Sequence, residues 1–165
     1  MRIRRGDSAG GVQDTGVALD DLQHSKSGFR YPEFLGILAE GMGGFGEVGD
    51  GLAVGSRGAD ASERREEHWC MPEFLRIKGE ILLVSGAPDA EVAAEDNFLR
   101  PLGWARRQGA LSWELRTAMS LARLQRDQGR IGKARDLLSS VYGHFTEGFA
   151  TADLQSAKWL INELV

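Results

Sequence analysis

The amino-acid sequence predicts an all-α fold, an α-solenoid of antiparallel helical hairpins with about seven or eight helices. Three observations predict it. A helix start recurs 40 residues apart: Pro32-Glu33-Phe34-Leu35 returns as Pro72-Glu73-Phe74-Leu75, and Leu75-Arg76 returns as Leu115-Arg116. Glycines suited to ending these helices (Gly6, Gly46 and Gly86) keep the same interval, and Gly129 falls three residues late. Between these marks, apolar residues recur at the spacing of an amphipathic helix. Self-similarity at a period of about 20–50 residues belongs to arrays in which each unit hides its apolar face on its neighbours.

The segment 130–145 carries the clearest helical pattern. Ala134, Leu137, Leu138, Val141, Tyr142 and Phe145 fall at i, i+3, i+4, i+7, i+8 and i+11, which is one face of a 3.6-residue helix. Residues 112–127 precede it, with Ser112 as N-cap, Leu115, Ala118, Leu121, Ala122 and Leu124 on the apolar side, and Gly129 as the stop. Helix, glycine turn, helix is the repeat unit. One unit earlier, Pro72 suits a first helical position, where its missing N–H is harmless. Phe74 to Val84 carry the buried side, and Asp89 is placed to cap a helix over 90–107. Pro101 lies inside that helix and should kink or break it, at about 3 kcal/mol if unrelieved.

The unit before that opens with a helix over 33–42. Its partner is interrupted by Gly49, Gly51, Gly55 and Gly58 before Ala61–His68 resumes a helical, charged pattern. Residues 11–26, with Val12, Val17, Leu19 and Leu22, read as a lone second helix, and residues 152–164 as a lone first helix. The chain thus divides into a half repeat over 6–27, repeats over 32–69, 72–108 and 112–146, and a terminal helix over 152–165. This pattern predicts a piece of a longer array or a shortened descendant of one. Most of the 22 glycines lie at or before Gly58. Each costs about 1 kcal/mol against alanine in a helix, so the N-terminal half should be the less stable.

Composition bounds the function. At 165 residues, 42% hydrophobic and 27% charged, the chain is a globular domain with enough apolar residues for a core. A net charge of −4 supplies no overall basic field for nucleic acid or anionic membrane. The single cysteine, Cys70, fits a reducing compartment and reads as a small core residue. No apolar run approaches the roughly 20 residues of a membrane span, and no apolar stretch follows the charged N-terminus. A cytoplasmic protein is expected.

Catalytic and cofactor motifs fail on context. Gly41-Met42-Gly43-Gly44-Phe45-Gly46 matches the dinucleotide-binding pattern literally, but that motif needs a strand leading into it, and here a helix does. Gly129 to Ala134 lacks a phosphate loop's second glycine spacing and its metal-binding hydroxyl, so it reads as a hairpin turn. His24, His68 and His144 are scattered, without metal-ligand spacing. No catalytic, cofactor-binding or metal-binding residue is assigned, and no cofactor. Glu63 to Glu67 read as a solvated charged face, and Trp69, Trp104, Trp113 and Trp159 as rings filling space between units.

One polar stripe carries a binding expectation. Arg116, Met119, Arg123 and Arg126 follow i, i+3, i+7 and i+10, and Arg76 holds the equivalent place one unit earlier. First helices of stacked hairpins line the concave surface, so these five residues are the candidate groove, basic enough for an acidic peptide or phosphate.

Four stretches resemble a known family: Glu66 to Glu80, Ala105 to Arg116, Ser120 to Arg130, and Val141 to Leu154. They are similar to the C-terminal tetratricopeptide-like region of large bacterial proteins. Those proteins join a class III nucleotide cyclase or a winged-helix DNA-binding domain to an AAA-type signalling ATPase. The resemblance implies a non-enzymatic interaction or sensory-scaffold module, since the catalytic motifs lie in domains outside this sequence. Its partner would be a protein or peptide, or the parent's N-terminal domains. No membrane contact is expected, and oligomers could form through exposed terminal helices. Two alternatives stand beside it: a regulatory module touching nucleic acid through Arg116–Arg135, and a non-functional remnant of a longer gene. The family would have continuous helix where this chain has Val54 to Asp60 and Pro101, and a fuller apolar face where it has Gln13 to Gly16.

Overall fold

The computed structural model describes residues 31–165 apart from Arg65 and Glu67. Every regular element among them is helical. The order is α1 (Tyr31–Gly44), α2 (Val48–Arg64), a 3-10 turn (His68–Cys70), α3 (Met71–Ser85), α4 (Ala90–Gln108), α5 (Leu111–Asp127), α6 (Ile131–Tyr142) and α7 (Ala152–Glu163). The expected half repeat over 6–27, with Gly6 and His24, lies outside the described residues.

First helices begin at Tyr31, Met71, Leu111 and Ala152, so the 40-residue sequence period becomes a structural one. Short turns fold α2 back on α1, α4 on α3 and α6 on α5, and each pair packs as a hairpin. Gly46, Gly86 and Gly129 occupy those turns with φ of 80°, 62° and 74°, where a side chain would be strained. Contacts then run along the array in one layer: α1 meets α3, α3 meets α5, and α5 meets α7. Second helices make no comparable contact with one another. An array whose first helices touch and whose second helices splay is concave on the first-helix side.

The core follows this stacking. One cluster joins Phe98 and Leu102 of α4, Leu115, Leu121 and Leu124 of α5, Leu138 of α6, and Leu154 and Leu160 of α7. A second joins Leu35, Leu38 and Ala39 of α1, Val54 and Ala61 of α2, and Ile77 and Ile81 of α3. Helix α3 links the two, because Leu82 and Leu83 pack on the first cluster.

Several local expectations are corrected. Helix α2 is one continuous helix from Val48, not an interrupted one. Its glycines are compensated by close approach: a Cβ at Gly58 would lie 2.4 Å from Phe74 Cε1, and one at Gly51 would lie 3.2 Å from Ala39 O. Packing of neighbours thus outweighs poor helix propensity. The helix does not extend to His68. It ends at Arg64, and Glu66 turns the chain with φ 58°.

Pro101 does not break α4, which runs through it to Gln108. Pro101 is buried in line with Phe98, Leu102 and Ala105 on the core face, so tertiary packing holds the turn that its missing N–H weakens. Ser112 is not the N-cap of α5. The first helical bond runs from Glu114 N to Ala110 O, which places Ala110 there. The tryptophans are not all space-fillers: Trp69, Trp104 and Trp159 are 40%, 38% and 63% exposed. Trp69 leans on the half-buried Trp113, ring centroids 6.3 Å apart.

Candidate functional site

The inner surfaces of α1, α3, α5 and α7 enclose a groove of about 390 Å³. Its apolar floor is Ile77, Ile81 and Val84 of α3 with Met119 of α5. Gly43 and Gly44, at the C-terminal end of α1, form one wall, and Asp153 and Ser156 of α7 the other. Only first helices contribute, because they form the continuous layer of the array.

Of the five residues singled out by sequence, Arg76, Arg116, Met119 and Arg123 line this groove. Arg126 does not; it turns to Asp127 at 2.9 Å and Glu163 at 3.4 Å. Position along the helix explains the departure: Arg126 lies about 15 Å along α5 from Arg116, past the residues that line the groove.

The groove is not basic. Arg76 Nε lies 2.8 Å from Glu73 Oε2 and its Nη2 2.5 Å from Glu40 Oε1, with Glu80 at 3.6 Å. Arg116 reaches Glu73 Oε1 at 2.5 Å and Glu40 at 3.3 Å, and lies 5.7 Å from the Trp113 ring centroid. Burial opposes the Arg76 charge, and Glu73 and Glu40 more than restore it, so its ionisation moves above the ordinary arginine value. Two guanidiniums and three carboxylates thus form a ladder across α1, α3 and α5. Arg123, exposed on α5, makes no ion pair among the described residues.

Sequence reasoning singled out the arginines and missed their partners, although the same 40-residue register marks them. Glu40, Glu80 and Ser120 are equivalent positions, and Ser120 Oγ donates to Glu80 Oε1 at 2.5 Å. A second paired site lies on the far side, where Arg130 donates to both oxygens of Glu95 at 2.9 and 2.8 Å. That contact raises the ionisation of Arg130.

The remaining motifs fall where chain context placed them. Gly41 to Gly44 are the last turn of α1, and no strand leads into them. Gly129 to Ala134 form the α5–α6 turn and the start of α6. Cys70 is buried with its sulfur 3.4 Å from Ser62 Oγ. Among the described residues, no three of His, Cys, Asp and Glu gather as a metal site, and no helix is long and apolar enough to cross a membrane. No protein-family model, curated protein or solved structure matches the chain.

Proposed function

We propose that the chain is a non-enzymatic protein-interaction or sensory-scaffold module whose concave groove holds a segment of a protein partner. The observation that carries this reading is the groove itself. Four consecutive first helices present an open, apolar-floored channel with polar walls, the form in which extended segments are recognised on helical arrays. The resemblance to repeat regions of cyclase-linked and ATPase-linked bacterial proteins supports a partner within a signalling assembly, including the parent's own ATPase or cyclase domain. The nucleic-acid alternative draws less support, because Arg116, Arg126 and Arg130, three of the six basic residues over Arg116–Arg135, are tied to carboxylates and the chain's net charge is −4.

Photo-crosslinking tests the proposal. A photoreactive residue at Val84 or Ser156, both in the groove, should yield the same discrete protein adduct, and one at Ser139 on the outer face of α6 should yield none. Adducts from Ser139 alone would rule against a groove-based interaction.

A further inference from the structure

The groove that arginines dominate in the sequence presents carboxylates to solvent in the structure. Arg76 and Arg116 are 6% and 15% exposed, beneath Glu40 and Glu80 at 30% and 36%. Asp153, exposed on the first turn of α7, adds a third acidic group and has no ion-pair partner among the described residues. The C-terminal end of α1 also points its last turn, Gly43-Gly44, into the same channel. That end carries the negative pole of the helix dipole, although Gly43 O itself accepts from Gly46 N at 3.0 Å. Against these stands one accessible guanidinium, Arg123.

We infer that the groove selects a basic, apolar segment: lysine or arginine side chains beside aliphatic ones, rather than an acidic peptide or a phosphate. This rests on reading the groove as a protein-binding surface, and adds the chemistry of its occupant. An aliphatic side chain would cover Val84, 54% exposed at the groove's apolar floor, while cationic groups reach the outward oxygen of Glu80 and the carboxylate of Asp153. Across the ladder two guanidiniums meet three carboxylates, so the cluster carries one net negative charge, and its most exposed groups, Glu40 and Glu80, are negative.

The test uses the full chain and three sets of fluorescein-labelled decamers with identical aliphatic residues, carrying lysine, glutamate or serine between them. Anisotropy should show the lysine set binding about tenfold tighter than the glutamate set, with the serine set between. Asp153→Lys combined with Glu80→Gln should abolish or reverse that order, and Glu163→Lys, outside the groove, should leave it intact. Tighter binding of the glutamate set, equal binding of all three, or indifference to Asp153→Lys/Glu80→Gln would overturn the inference while leaving the groove reading standing. Failure of every set to bind would remove both.

Discussion

Arg76 places Nη2 2.5 Å from Glu40 Oε1, a partner 36 residues earlier and on the neighbouring hairpin. The same guanidinium holds Glu73 one turn before it, so a single side chain ties α1 to α3 and shares Glu73 with Arg116 of α5. The glycine-rich first hairpin is thereby fastened to the array by charge as well as by apolar contact.

Replacing Arg76 by methionine should therefore destabilise the chain by about 2–3 kcal/mol, because buried Glu73 loses two charge-assisted hydrogen bonds and keeps only Arg116 as counter-charge. Urea denaturation followed by circular dichroism measures this. Pairing Arg76→Met with Glu73→Gln should recover part of the loss, since the under-compensated carboxylate is then gone and Arg116 keeps Glu40. A double variant no better than the single one would show that packing, not charge, accounts for the effect.

Two glycines of α2 should respond in opposite directions to alanine. At Gly55 the added Cβ would meet Ala39 Cβ at 3.7 Å, an ordinary contact, so helix propensity should stabilise the chain by about 1 kcal/mol. At Gly58 the same atom would lie 2.4 Å from Phe74 Cε1. Overpacking there should destabilise by about 1–3 kcal/mol less the propensity gain. Thermal melts of the two variants, compared directly, give the sign of each.

Pro101→Ala should stabilise the protein modestly. A helix-interior proline is about 3 kcal/mol worse than alanine. Losing two buried methylenes takes back about 1.6 kcal/mol, which leaves a gain of about 1 kcal/mol. Chemical denaturation would reveal it, and a destabilised variant would mean that ring packing outweighs the missing backbone bond.

Trp159 is 63% exposed on the outer side of α7. Trp159→Lys should change stability by no more than about 0.5 kcal/mol. If the chain associates through this terminal helix, the same change should shift sedimentation toward the smaller species. A melt displaced by several degrees would place Trp159 in the core of the fold instead.

Period and spacing made the helices legible. The recurrence of Pro-Glu-Phe-Leu, the stripe from Ala134 to Phe145 and the glycines at Gly46, Gly86 and Gly129 set the hairpins in register, because helix starts and turns are local chemistry. The continuity of α2 and α4 was not legible. Gly58 and Pro101 are unfavourable when judged within their own segments, and only the residues packed against them, Phe74 for one and the α4 core face for the other, decide the outcome.

By itself the sequence pointed to an all-α stack of hairpins and put five candidate residues on one inner surface, four of which line the groove, since helical periodicity dictates which side chains share a face. Only the tertiary structure decided the sign of that surface. Charge along a helix can be counted from residues, but whether an arginine reaches solvent or lies beneath Glu40 and Glu80 depends on which hairpin comes to rest beside it.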